Sequence, residues 1–167
     1  YNTRRAKELL ELFLEYHPDI RFHLEIHPAL LSEELKEELK HLPEGLLHLE
    51  AGIQSLREPV LEKSRRMGKL TDALEGLKFL CSLPNMETHA DLIAGLPLYH
   101  LAEIFEDIRV LAAYGAGEIQ LESLKLLPGT EMRRRAEELG IQYSPLPPYE
   151  VLQTREINVS ELQTARQ

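Results

Sequence analysis

Residues 47–54 read Leu-His-Leu-Glu-Ala-Gly-Ile-Gln, with an apolar residue at every second position. Successive side chains of a β-strand point to opposite faces, so this run places an apolar set on one face and a polar set on the other. Residues 22–26, 89–94 and 119–124 show the same alternation. Strands that are buried on both faces read as near-continuous apolar runs. The sequence therefore predicts a sheet with one face packed under helices and the other wet or in contact with a polar ligand.

Segments with helical periodicity separate these strands, and the connections are short. The expected helices span about residues 3–16, a segment capped by Ser32, and about residues 71–83, 101–114 and 131–139. A polar loop is expected over residues 55–69. Regular alternation of strands and helices favours parallel strands joined by right-handed crossovers.

We therefore predict an α/β fold, a partial (β/α) TIM-like barrel of about four parallel strands with flanking helices. The whole chain, residues 1–167, is interpreted as one domain. Its barrel part covers about residues 1–140, and a Pro-rich C-terminal extension covers about residues 141–167.

Composition excludes several classes of function. The formal net charge is −9, which argues against DNA binding because phosphate contacts need a concentrated basic face. No apolar run approaches membrane-spanning length and no signal peptide is visible, so we expect a cytoplasmic protein with no membrane span. Cys81 is the only cysteine, which excludes an internal disulfide and any self-sufficient cysteine-ligated metal site. We expect Cys81 to be a buried structural thiol within a helix.

The polar face of the sheet carries a repeated His-x-acid pattern. The pairs are His23 with Glu25, His48 with Glu50, and His89 with Asp91. Carboxylates are almost never buried unpaired, so this face is solvated or binds a ligand.

One interpretation of this face is a ligand site near the C-terminal ends of the strands, as in (β/α) barrels. A second is a divalent-metal-dependent barrel hydrolase with imidazole and carboxylate ligands to Zn²⁺ or Mn²⁺, although His23 and His48 lie well before their strand ends. A catalytically inert interaction domain is a third.

Five segments, taken in order, resemble the radical S-adenosylmethionine (SAM) superfamily, in the branch shared by the tRNA methylthiotransferases and the oxygen-independent coproporphyrinogen oxidase. They are residues 22–28 (FHLEIHP), 50–55 (EAGIQS), 65–67 (RRM), 91–97 (DLIAGLP) and 126–130 (LLPGT). Residues 147–152 (PPYEVL) add a more specific likeness to cobalamin-binding members that resemble the anaerobic magnesium-protoporphyrin IX monomethyl ester oxidative cyclase. By this resemblance the chain is the C-terminal part of such a barrel.

The resemblance implies a set of SAM-binding positions. Glu25, Gln54 and Asp91 would contact the ribose, and Arg66 would pair with the methionine carboxylate. The remaining positions would line the adenine or lie beside these residues. The complete set is Glu25, Gln54, Ser55, Arg66, Asp91, Ile93, Gly95, Leu126 and Leu127. A second set, interpreted as facing the substrate, is His23, His48, Glu50, His89 and Glu122. No catalytic residue and no metal ligand is expected in this chain.

The resemblance also implies the chemistry. Radical SAM enzymes cleave SAM reductively at a [4Fe–4S] cluster and generate a 5′-deoxyadenosyl radical, here in a cyclase-like or methyltransferase-like reaction that uses cobalamin. The family's Cys-x-x-x-Cys-x-x-Cys loop is missing, and the chain starts at Tyr1 without an initiator methionine. We therefore expect an excised fragment, inactive alone, whose cluster ligands and cobalamin domain lie outside it. Its expected partners are a small-molecule substrate and an electron donor such as flavodoxin or ferredoxin.

Overall fold

A computed structural model describes residues 2–165 of the chain. Its helices and strands, in chain order, are α1 (Thr3–Leu14), β1 (Phe22–Ile26), α2 (Glu33–His41), β2 (Leu47–Gln54), α3 (Glu58–Lys63), α4 (Leu70–Cys81), β3 (Glu87–Ala94), α5 (Leu101–Ala113), β4 (Glu118–Ser123), α6 (Glu131–Arg134), α7 (Ala136–Leu139), β5 (Gln142–Tyr143), β6 (Val151–Gln153) and α8 (Val159–Ala165). A 3₁₀ turn, Pro28–Leu30, follows β1. Within residues 2–165, every helix is too short or too polar to cross a membrane.

Strands β1 to β4 form a parallel sheet in the order β1-β2-β3-β4. In the register between the first two strands, His23 lies opposite His48 and Glu25 lies opposite Glu50. The apolar positions of β2 are buried, whereas His48 and Glu50 are only half-buried. The predicted α/β fold, its four parallel strands and the division of β2 into an apolar and a polar face are confirmed.

The chain divides into two compact units, each built from several segments. The first unit contains the chain up to Ile53, Gly68–Ala90 and Leu111–Ile119. The second contains Gln54–Met67, Asp91–Val110 and the chain from Gln120 onward. Helices α1, α2 and α4 belong to the first unit, and α3, α6, α7 and α8 belong to the second.

In the first unit, the predicted cap of α2 is present. The Ser32 hydroxyl accepts a hydrogen bond from the Leu35 N–H at 3.2 Å. Glu33 and Glu34 occupy the first turn, where carboxylates interact favourably with the helix dipole. The helix begins at the predicted position because its sequence satisfies the free N–H groups of its first turn.

Helix α4 packs directly on the 3₁₀ turn of the same unit. Leu77 and Leu80 on this helix are fully buried. A methyl group placed on Gly76 would overlap the carbonyl oxygen of Pro28. Glycine at this position therefore allows the helix backbone to contact the turn.

The second unit has its own apolar core. This core contains Val60, Ala94, Leu96, Tyr99, Ile104, Leu126, Ala136, Leu139, Ile141, Val151, Ile157, Leu162 and Ala165. Val151, a member of this core, belongs to the Pro-rich extension, and its N–H donates to the Leu124 carbonyl at 2.9 Å. The Arg133 guanidinium lies over the rings of Tyr143 and Tyr149, at 5.1 and 4.7 Å from their centroids. The extension is thus packed through both apolar and cation–π contacts.

Three local expectations were wrong. Residues 55–69 are not a continuous loop, because α3 lies within them. This helix buries only Val60 and Leu61, too few apolar residues to produce a visible period. The predicted helix 131–139 is two short helices that meet at Arg135, whose backbone leaves the helical region (φ −99°, ψ 9°). The fourth strand, expected from the sequence over about residues 118–126, ends at Ser123.

Candidate functional site

Three histidines and one glutamate meet on the polar face of the first unit. The β1–β2 register places His23 beside His48, and His89 follows on β3. His48 Nε2 lies 2.7 Å from His89 Nδ1, and His23 Nε2 lies 2.9 Å from Glu50 Oε2. His89 Nε2 is 3.6 Å from the same Glu50 oxygen. The structure therefore brings together four of the five residues predicted to face the substrate.

The surroundings of His48 disfavour its charged form. Burial lowers the pKa of His48, and the neighbouring His89, Arg21 and His23 lower it further. Glu87 opposes this effect from 3.8 Å, but its Oε2 is also paired with Arg21 Nη2 at 2.6 Å. These surroundings favour the neutral imidazole of His48, whose Nε2 can share a single proton with His89 Nδ1.

The donor atoms of His23, Glu50 and His89 can converge on one metal ion. One atom from each residue lies within 4.8 Å of the other two. The side chain of His89 is only 5% exposed, whereas Glu50 is 30% and His23 is 54% exposed. The cluster is therefore buried on the β3 side and open to solvent on the β1 side.

Glu25 and Glu122 lie outside this cluster. Glu25 is exposed, near the end of β1, and Glu50 lies directly opposite it on β2. Glu122 is exposed on β4 in the second unit, where it accepts hydrogen bonds from Gln120 at 2.8 Å and Lys125 at 3.3 Å. The other four residues predicted to face the substrate belong to the first unit.

The predicted SAM-binding positions divide between the two units. Glu25 lies in the first unit, and all the others lie in the second. Arg66 is half-buried in the turn after α3, where its backbone N–H donates to the Leu61 carbonyl at 2.8 Å. Leu126 is 1% exposed and part of the core, whereas Leu127 is 51% exposed. Only Leu127 of this pair presents a side chain to solvent.

The end of β2 holds Gln54 in an unusual backbone conformation. Gln54 is the last residue of the strand, is half-buried, and has a φ of 70°. This left-handed region costs a residue with a Cβ about 1–2 kcal/mol. Ser55 follows and is fully buried. Its hydroxyl accepts from the Arg57 N–H at 3.1 Å and donates to Asp107 Oδ2 at 3.5 Å.

A buried carboxylate, Asp107, fixes this segment and was not predicted. It is 0% exposed and accepts hydrogen bonds from Tyr99 Oη at 2.6 Å, the Leu56 N–H at 2.8 Å and Arg57 Nε at 2.9 Å. Burial and the hydrogen bond to Asp107 raise the pKa of Tyr99. Burial alone would lower the pKa of Arg57, but its hydrogen bonds with Glu106 and Asp107 reverse the direction. The network holds the backbone just after Gln54.

A sequence signal for Asp107 existed. Within α5 it lies three residues after Ile104 and four residues before Leu111, two residues that are fully buried. Positions with this spacing share one face of a helix. An acidic residue on a buried face needs partners, so this position could have been recognised as a buried hydrogen-bond centre.

The predicted adenine-contacting segment ends β3. Asp91 is buried and Ile93 is half-buried. Gly95 follows the strand with a φ of 90°, and a Cβ built on it would lie 3.3 Å from Val151 Cγ1. The positive φ favours glycine here, and a Cβ would also press on the side chain of Val151, a residue of the C-terminal extension.

Cys81, the only cysteine, is half-buried rather than buried, at the last position of α4. Burial raises the pKa of its thiol. Iron–sulfur clusters need several thiolates, so the residues of this chain do not fit such a cluster on their own.

No family model and no curated protein matches the sequence. Among solved structures, the chain is similar to TsrM from Kitasatospora setae, a radical SAM methyltransferase solved with cobalamin and a [4Fe–4S] cluster. The TM-score is 0.65 and the identity 19%, over 87% of this chain and 31% of that one. Another structure of TsrM contains its tryptophan substrate and a SAM analog.

Two other solved structures are also similar in fold to this chain. The radical SAM enzyme coproporphyrinogen III oxidase (HemN) from Escherichia coli has a TM-score of 0.58 at 17% identity, over 85% of this chain and 38% of its own. Elp3 from Methanocaldococcus infernus has a TM-score of 0.56 at 16% identity, over 71% and 28%. This chain thus spans about a third of the length of these proteins, and the likeness confirms the predicted α/β partial-barrel fold.

Proposed function

We propose that this chain is the SAM-binding part of a radical SAM enzyme that cleaves SAM reductively to a 5′-deoxyadenosyl radical. The observation that carries the proposal is the fold, which matches enzymes described as radical SAM proteins. The family-like residues Gln54 and Gly95 also lie at the C-terminal ends of parallel strands, where (β/α) barrels place their chemistry.

In this proposal Gln54 and Asp91, both in the second unit, bind the SAM ribose. The strained backbone of Gln54 supports a binding role, since strain of this kind is concentrated at functional sites. The Asp107 network positions Gln54 by holding the next three residues. Arg66 pairs with the methionine carboxylate, a role suited to its planar, permanently charged guanidinium.

The remaining cofactors are proposed by analogy with the similar enzymes. A bound [4Fe–4S] cluster supplies the electron for SAM cleavage, and its ligands would come from polypeptide outside this chain, which has one cysteine. We further propose a cobalamin-dependent, cyclase-like or methyltransferase-like reaction on a small-molecule substrate, with TsrM as the cobalamin-binding precedent. The electron donor would be a flavodoxin or ferredoxin, in the cytoplasm.

The test uses the full-length protein that contains this chain, reconstituted anaerobically with iron and sulfide. With a reductant and SAM, we expect release of 5′-deoxyadenosine. Asp91→Ala and Arg66→Ala should weaken SAM binding by about 10- to 150-fold, because a charged hydrogen bond contributes about 1.5–3 kcal/mol.

Arg65→Ala is the matched control. Arg65 is the neighbouring arginine, and its guanidinium pairs with Glu131, so its loss should leave SAM affinity unchanged. Equal SAM affinity in wild type, Asp91→Ala and Arg66→Ala would refute the site assignment. An absence of 5′-deoxyadenosine from cluster-loaded protein would refute the function.

A further inference from the structure

The His23, Glu50 and His89 side chains have a geometry that suits a metal ion. Tetrahedral Zn²⁺ with ligand bonds of about 2.0–2.1 Å separates neighbouring donor atoms by about 3.3 Å. The two distances to Glu50 Oε2, 2.9 Å from His23 and 3.6 Å from His89, lie on either side of this value. All three donor atoms lie within 4.8 Å of one another, so closing on an ion requires side-chain rotation.

The donor types also point to a particular class of ion. Two imidazole nitrogens and one carboxylate oxygen are a ligand set for divalent transition metals, and zinc accepts it with a fourth position open to water. His23 is 54% exposed, which gives the ion a route from solvent. Glu25, opposite Glu50 in the register, adds a second negative charge beside the site and would favour a cation.

His48 provides the outer partner that such sites need. Ligating histidines usually donate their second ring N–H to a neighbouring acceptor, which fixes the tautomer. When His89 Nδ1 donates to His48 Nε2, at 2.7 Å, the lone pair of His89 Nε2 points toward the shared centre. The contact therefore orients His89 for binding through Nε2.

We infer that His23, Glu50 and His89 bind one divalent transition-metal ion, zinc by preference, which connects β1, β2 and β3. The histidines lie at the second or third residue of their strands, away from the C-terminal ends. In (β/α) barrels, residues toward the N-terminal ends of the strands serve stability, whereas catalytic residues lie at the C-terminal ends. The ion therefore stabilises the first unit, and this inference is independent of the proposed SAM chemistry.

The test measures zinc binding to the full 167-residue chain, freed of metal with a chelator and titrated with zinc chloride against a chromophoric competitor. We expect one zinc ion per chain. His23→Gln and Glu50→Gln should each weaken binding by at least about 100-fold, the upper range for loss of an outer partner. His48→Phe should weaken it by about 10- to 100-fold.

His41→Gln is the control, because His41 is an exposed histidine on α2 of the same unit. Its zinc affinity should equal that of the wild type. Zinc should also raise the melting temperature of the wild type and not that of Glu50→Gln, since a ligand of the native state stabilises it. Circular dichroism checks that each variant is folded.

A spectroscopic measurement on the wild type removes the dependence on variants. X-ray absorption at the zinc edge should show nitrogen and oxygen ligands with imidazole scattering and no sulfur. Zinc bound through Cys81, binding well below one ion per chain, or full affinity in both His23→Gln and Glu50→Gln would each overturn the inference. SAM and the iron–sulfur cluster take no part in these measurements, so their failure would leave the proposed function standing.

Discussion

Replacing Asp107 with asparagine tests whether the buried network holds the second unit together. The substitution preserves side-chain volume but removes the charge and turns one acceptor oxygen into a donor NH₂ group. Asp107 accepts from a phenol, a guanidinium and a backbone amide, all within 2.9 Å. An amide cannot accept from all of these donors at once.

The expected loss of unfolding free energy is about 3–5 kcal/mol, the usual cost of breaking a buried charge pair by removing one partner. Two features determine where in this range the loss of unfolding free energy should fall. Arg57 is 29% exposed and keeps Glu106 as a partner, which favours the lower end. Tyr99 is 0% exposed, and an unsatisfied buried hydroxyl adds about 1–3 kcal/mol.

Urea denaturation followed by circular dichroism and tyrosine fluorescence measures this loss, since the chain has six tyrosines and no tryptophan. Glu106→Gln is the matched control on the same helix. Glu106 pairs with the same arginine at 2.5 Å but is 62% exposed, so its loss should cost only about 0–1 kcal/mol. A cost below about 1 kcal/mol for Asp107→Asn, or one equal to that of the control, would refute the reasoning.

Two further substitutions test the backbone. Gly76→Ala should destabilise the chain by about 1–3 kcal/mol in urea denaturation, because the methyl group would overlap Pro28, even though alanine favours helices. Gly117→Ala, whose nearest contact is the Thr88 oxygen at 3.7 Å, should cost much less, and a stabilised Gly76→Ala would contradict the packing. Gln54→Gly should raise stability by about 0.5–1 kcal/mol in thermal denaturation by relieving the positive φ, while SAM affinity of the full-length protein falls. Lower stability of this variant would show that the strain is absent.

Much of the sheet was predictable because its signal is local. In β2, the burial of Leu47 and Leu49 and the partial exposure of Glu50 follow from alternation alone. The short helix α3 was missed because its apolar content is too small. Asp107 was missed because the buried face of α5 was predicted from its apolar positions alone, without regard to the acidic residue on the same face.

Sequence alone determined most of the element types, the polar face and the candidate residues, because these depend on neighbours a few positions apart. Only the tertiary structure decided which polar side chains meet. His23 and Glu50 are 27 residues apart, and His48 and His89 are 41 apart. Their contacts depend on strand register, and a slip of one residue would turn every side chain to the opposite face. The same holds for Asp107, whose bond to the Leu56 N–H spans 51 residues and becomes possible only when packing buries α5.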